Sequence, residues 1–205
     1  MGTRGVVGFR IAGQDKLAYN HFDSYPEGLG QDVIKFLKKA LVSEPAGLEL
    51  LALSAASLEV VDPKVPPTAA QIDQLAPWTD LTVSEKSTKD WYCLLRGAQG
   101  DLAAMLTAGI ILKGAETFIL DSLFCEWGYI INLDEGVLEV YKGFQTKEHA
   151  QGRYAKDRTL LDDPTRRRSS YGTTYYPSAL IATFPFDALP ENLAKALPKD
   201  EDEEE

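Results

Sequence analysis

Residues 3–12, TRGVVGFRIA, are rich in β-branched and aromatic residues and show no helical period, which predicts a strand. Gly13-Gln14-Asp15 reads as a turn. In KLAYNHF, which follows, Leu17, Tyr19 and His21 alternate with Ala18, Asn20 and Phe22, placing the two sets on opposite faces of a second strand. The pair predicts a β-hairpin. Pro26, Gly28 and Gly30 then break the chain. From about Gln31 to Val42 the period changes. Leu29, Val33, Ile34, Leu37 and Leu41 form one stripe and Lys35, Lys38 and Lys39 lie off it, the pattern of an amphipathic helix. Pro45 ends it.

Leu48, Leu50, Leu51 and Leu53 predict a second short helix within 46–59, followed by the proline-rich connector VDPKVPPT at 61–68. Thr68 is placed to cap a helix over TAAQIDQLA. Another helix is expected through DWYCLLR to Gly97, and Asp101 caps a third, LAAMLTA, closed by Gly109. A second hairpin is expected over 125–144, CEWGYIINLDEGVLEVYKGF, turning at Asp134-Glu135-Gly136. From about 145 to 176 apolar positions thin out, which reads as a surface excursion. SALIATFPF (178–186) recovers strand character and LPENLAKAL suggests a terminal helix. Antiparallel hairpins towards both ends, with helices between, predict an α+β domain whose helices pack on the sheet. The strand–helix alternation of a doubly wound parallel sheet is missing.

Length then sets the organisation: 205 residues predict one domain over 1–198. The last seven residues, KDEDEEE, carry half of the net charge of −10. Such a run repels itself and has nothing apolar to bury, so 199–205 is expected to be a disordered acidic tail. The rest of the chain is also acidic, which argues against nucleic acid as a partner. Two cysteines, Cys93 and Cys125, and no secretory leader point to a reducing, cytoplasmic setting. No apolar run reaches the ~20 residues of a membrane span, so no membrane partner is expected.

Candidate chemistry concentrates in YNHFDSYPEGLG, residues 19–30. One reading is a corner, in which Asp23 and Ser24 bond nearby backbone and Gly28 and Gly30 supply positive φ. The other is an acid–base or binding cluster of His21, Asp23, Ser24 and Tyr25, with Arg4, Asn20 and Glu27 as further binding residues. His21 and Asp23 have the spacing of two ligands on one strand face, but no third ligand is identifiable, so no metal is predicted. No cofactor motif is present. Arg166-Arg167-Arg168 is a basic cluster of a kind that can hold phosphate. Cys125, beside Trp127, reads as core rather than nucleophile.

The GTRG start, the YNHFDSYPEGLG turn and CEWGYIINLDEGVLEVYKG together resemble a family of uncharacterised bacterial, phage and fungal proteins, a resemblance that brings no activity with it. Gly2-Thr3, the first hairpin and Asp23-Ser24 more distantly resemble the N-terminal-nucleophile hydrolases of the proteasome type. That second resemblance implies an αββα sandwich and cleavage before Thr3. The freed α-amine of Thr3 would then serve as base for its own hydroxyl, with Asp23 assisting. A hairpin centred on Gly13 would set Thr3 opposite Asp23. Two functions are therefore expected. The first is a non-catalytic binding or interaction protein with an unidentified protein or small-molecule partner. The alternative is an amide- or peptide-cleaving hydrolase using Thr3 or the His21–Asp23 pair.

The acidic run yields a direct test. Removing residues 199–205 is expected to leave the melting temperature nearly unchanged. A loss above ~1 kcal/mol in chemical denaturation would mean that the tail packs on the body.

Overall fold

The computed structural model describes residues 2–42, 46–157 and 172–198. The acidic tail and Arg166-Arg167-Arg168 lie outside the described residues. The chain opens with β1 (Gly5–Ile11) and β2 (Gln14–Asn20), then α1 (Gln31–Val42) and α2 (Ala46–Ser57). The middle segment holds β3 (Glu59–Val61), α3 (Ala69–Leu75), α4 (Trp91–Leu94), α5 (Leu102–Ala108), β4 (Ile110–Leu112) and α6 (Ala115–Phe118). β5 (Trp127–Asn132), β6 (Val137–Lys142), β7 (Ala179–Pro185) and α7 (Leu193–Ala196) complete it. The class is α+β, as the sequence predicts. Among the described residues no helix is long and apolar enough to cross a membrane.

The local signals work as their chemistry requires. Thr68 accepts from the Gln71 N–H while Gln71 bonds back to the Thr68 N–H, a complete capping box. Asp101 accepts from the Ala104 N–H at the start of α5, and Gly109 closes that helix at φ 72°. Asp90 caps α4 and Asn192 caps α7 in the same way.

The sheet order is β2-β1-β5-β6-β7. Both expected hairpins form, but they stand side by side, joined by a parallel pairing of β1 with β5 in register from Gly5–Trp127 to Arg10–Asn132. That pairing places both hairpin turns at the same end of the sheet. The Asp134 carboxylate accepts from the Ala12 and Gly13 N–H groups at 2.7 and 2.9 Å, tying one turn to the other. The first turn lies at Ala12-Gly13, both left-handed, rather than at Gly13-Gln14-Asp15. A two-residue turn with both φ positive matches strand twist and lets Gln14 pair directly with Ile11.

Both sheet faces are covered. Val7, Phe9, Tyr129, Ile131, Leu138 and Val140 meet α1, α2, α5 and α7 on one side. Val6, Leu17, Ile130 and Tyr141 meet α6, Ile119, Cys125 and Tyr154 on the other. A third cluster, built from Val61, Leu75, Trp91, Leu94 and Ile110, holds the middle segment together. The second sheet is a two-stranded parallel ribbon of β3 and β4, narrower than the second layer of an αββα sandwich.

The described part of the 145–176 excursion is docked rather than loose. Arg153 grips the Asp15 carboxylate with two nitrogens, at 2.9 and 3.0 Å, and also bonds Glu139 and the Tyr141 hydroxyl. The Tyr154 hydroxyl donates to Asp15 at 2.7 Å, and Asn132 donates to Glu139 at 2.8 Å. Burial pushes the Asp15 carboxyl upward, but hydrogen bonds from Arg153, Tyr154 and Arg10 and the Arg153 charge outweigh it and hold the group below its usual value.

Two outcomes follow from these contacts. Leu37, fully buried under the sheet, is expected to cost about 2–5 kcal/mol when cut to alanine. Lys38→Ala removes only an ion pair to the exposed Glu191 and should cost about 0.5 kcal/mol or less in the same denaturation series. Arg153→Met removes the cation from the buried Glu139 and leaves Asp15 with Arg10 alone, and should cost roughly 3 kcal/mol at neutral pH. The Asp15 contribution in the wild type is complete above the ordinary aspartate range and is lost as pH falls through its lowered folded value. The gap between the two proteins should therefore narrow on acidification, and a gap that widens would remove Arg153 from this role.

Candidate functional site

YNHFDSYPEGLG builds the corner between β2 and α1, and its own side chains make it. The Asn20 amide donates to the Phe22 carbonyl at 2.6 Å and to Ser24 Oγ at 2.7 Å. The Ser24 N–H donates to the Thr3 carbonyl, and the Tyr129 hydroxyl donates to the Ser24 carbonyl at 2.9 Å. The Asp23 carbonyl accepts from the Leu29 N–H. Asp23 itself takes the left-handed conformation, at φ 58°, whereas Gly28 has φ −91° and ψ −107°. Neither Gly28 nor Gly30 supplies the positive φ expected of it, and each is needed for close approach instead. A Cβ on Gly28 would lie 2.6 Å from the Asp23 carbonyl oxygen, and one on Gly30 would fall 2.7 Å from the Leu193 side chain.

Thr3, Asn20 and Ser24 thus converge through backbone and amide bonds, with Thr3 and Ser24 buried. His21, Asp23, Tyr25 and Glu27 are exposed. The paired residues of β1 and β2 run from Ile11–Gln14 to Gly5–Asn20. Continuing that register sets Phe22, not Asp23, opposite Thr3, because the turn is centred between Ala12 and Gly13. Among the described residues no three His, Cys, Asp or Glu side chains group to hold a metal ion. Cys93 and Cys125 are both buried free thiols, and burial pushes the Cys125 thiol up, away from nucleophile chemistry.

The corner also aims β2 at the middle segment. Tyr19 meets Phe118 edge-on, with centroids 5.2 Å apart, and its hydroxyl lies 3.2 Å from His21 Nδ1. His21 and Tyr92 rings are 6.3 Å apart. The Arg96 guanidinium stands over the rings of Phe22 and Tyr92, and Arg4 stands over Phe124. Burial raises the Tyr19 phenol, against the lowering effect of Arg4. This aromatic and arginine surface carries Phe22 and Tyr25 about half exposed, the residue types that dominate recognition surfaces.

Beneath Tyr19 lies a cavity of about 220 Å³. Its walls are Ala18 and Tyr19 of β2, Leu95, Ala98 and Gln99 beyond α4, Met105 of α5, β4, and the Lys113–Phe118 segment. The wall is mostly apolar, with Tyr19, Gln99 and Lys113 among its members, the usual character of a small-molecule site. The Gln99 Oε1 atom is buried without a hydrogen-bond partner among the described residues. A larger cavity, about 590 Å³, adjoins it across Ile111, Leu112 and Lys113, but Asp15, Glu116 and Asp157 line it. Their carboxylates suit water better than an apolar ligand. Sequence reading reached Tyr19 only as a strand residue and missed Gln99 altogether, because the cavity joins segments up to a hundred residues apart. Compared with known proteins, the chain matched no family model, no curated protein and no solved structure.

Proposed function

We propose that this chain is a non-catalytic binding protein that holds a small, largely apolar ligand in the cavity beneath Tyr19. The observation that supports this reading is the cavity itself, a mostly apolar space walled by five separate elements or loops where the three buried clusters meet. A concave, mostly apolar pocket with a few polar groups at its wall is the usual form of a small-molecule site. The surrounding Tyr19–His21–Phe22–Tyr92–Arg96 surface would then form the rim that a ligand passes.

The hydrolase alternative has weaker support. Thr3 is only 2% exposed, its carbonyl is bonded by Ser24, and the Asp23 side chain is on the surface. A mature chain beginning at Thr3 by intact mass would reverse this preference.

Titration with N-phenyl-1-naphthylamine, a neutral dye that brightens in apolar surroundings, tests the binding reading. Saturable binding at one site is expected. Ala98→Leu and Ala115→Leu, each adding bulk to the cavity wall, should weaken it by about tenfold or more, with circular dichroism confirming that both variants fold. Unchanged affinity in both folded variants, or no binding to the wild type, overturns the reading.

A further inference from the structure

We propose that the outward face of α2 is an interface with a second copy of this chain, the two α2 helices packing antiparallel across a twofold axis. This inference is independent of the cavity reading and adds a partner to it.

α2, AGLELLALSAAS, has Glu49 as its only charged residue. Leu51 and Ala55 are buried in the core, yet Leu50 and Leu53, on the solvent side, are 62% and 68% exposed. Apolar residues on both sides are the pattern of a helix covered on both sides, and a contiguous apolar patch on a surface is characteristic of an association site. The helix has no way to bury the two leucines by itself. Rolling them inward would expose Leu51 and Ala55. Lys16 also fixes the end of α2, donating to the carbonyls of Ala56 and Leu58.

Symmetry and charge select the occupant. The exposed stripe is Ala46, Leu50, Leu53 and Ser57, at steps of four, three and four residues, so its spacing is the same from either end. Two antiparallel copies centred between Leu51 and Ala52 set Leu50 of each protomer against Leu53 of the other, and Ala46 against Ser57. That is the self-complementarity a twofold interface requires. The chain is acidic, with a net charge of −10, so two copies repel at long range, and only a nearly uncharged seam lets them close. Here the two Glu49 residues are offset along the helices by about 7 Å, which keeps like charges from facing each other directly. A lipid surface fits less well, because interfacial helices carry basic residues on a polar face and α2 has no Lys or Arg. One helix of 12 residues, about 18 Å long, offers less than the ~800 Å² per partner of a standard stable interface. The dimer is therefore weak and reversible.

Sedimentation equilibrium of the full chain tests this. A monomer–dimer equilibrium with a dissociation constant of about 10–300 µM is expected. It should tighten several-fold between about 0.05 and 0.5 M salt, as the repulsion between acidic copies is screened. Leu50→Lys and Leu53→Glu should each weaken it by about tenfold or more, because each buries two unpaired charges in the seam. Both positions face solvent in the monomer, so circular dichroism should show both variants folded. Mixing the two variants should restore association, since one contact then pairs Lys with Glu and the other keeps Leu against Leu. A wild type that stays monomeric up to about 1 mM, single variants that dimerise as the wild type does, or a mixture that stays monomeric each overturns the proposal. A monomeric wild type that floats with neutral phosphatidylcholine vesicles, and stops doing so as Leu53→Glu, overturns it too and assigns the face to lipid.

Discussion

The parallel pairing of β1 with β5 is the constraint on which the molecule is built. Each hairpin alone could form locally, but a lone two-stranded hairpin is marginal in water. Joined through β1 and β5, they make four adjacent strands of a five-stranded sheet whose strands alternate between two buried faces. Backbone contact at this seam is close. A Cβ on Gly5 would lie 2.4 Å from the Trp127 carbonyl oxygen, so glycine is what allows β5 to approach. The seam is held at both ends, by the Glu126 N–H donating to the Arg4 carbonyl and the Leu133 N–H donating to that of Arg10.

A sheet buried on both faces needs two covers, and the chain supplies them differently. One face is covered by amphipathic helices, chiefly through Val33, Ile34 and Leu37 of α1. Among the described residues the other is covered by the short α6, by Ile119, Leu120 and Cys125, and by a segment pinned by Arg153. There the cover depends on a charge network, with Asp15 and Glu139 from the sheet closing on one guanidinium. Paired and hydrogen-bonded charges can be buried where single ones cannot. Lys16, the neighbour of Asp15, reaches the other way and donates to the carbonyls of Ala56, in the last turn of α2, and Leu58, just beyond it, so the start of β2 anchors both covers.

The cavity arises where β2, an edge strand, is covered by chain that does not pair with it along its length. β3 and β4 form their own ribbon, and the Leu95–Gln99 segment follows Gly100 against Asn20. Side chains from β2, β4, α5 and α6 therefore meet around a gap instead of interlocking as strands. The YNHFDSYPEGLG corner matters to this site through its geometry. By fixing the end of β2 it holds Tyr19 in the cavity wall, with the His21 ring packed edge-on against those of Tyr19 and Phe22.

Much of the local architecture could be read in the residues alone. The Val33–Leu37 stripe marked α1, Thr68, Asp101 and Gly109 marked helix ends, and Asp134-Glu135-Gly136 marked the second hairpin, because capping, amphipathic period and turn chemistry act between residues close in sequence. The first turn shifted by a residue because Ala12, not an obvious left-handed residue, takes positive φ beside Gly13. Its two N–H groups are secured by Asp134, far away in the chain. Arg153 and Tyr154 looked like loop residues because polarity alone cannot show that a charge will be buried against Asp15. The parallel seam, the Arg153 network and the cavity beside Tyr19 all depend on contacts between distant segments. Only the tertiary structure decided them, since each is set by how separately formed elements pack and not by the preferences of any one stretch.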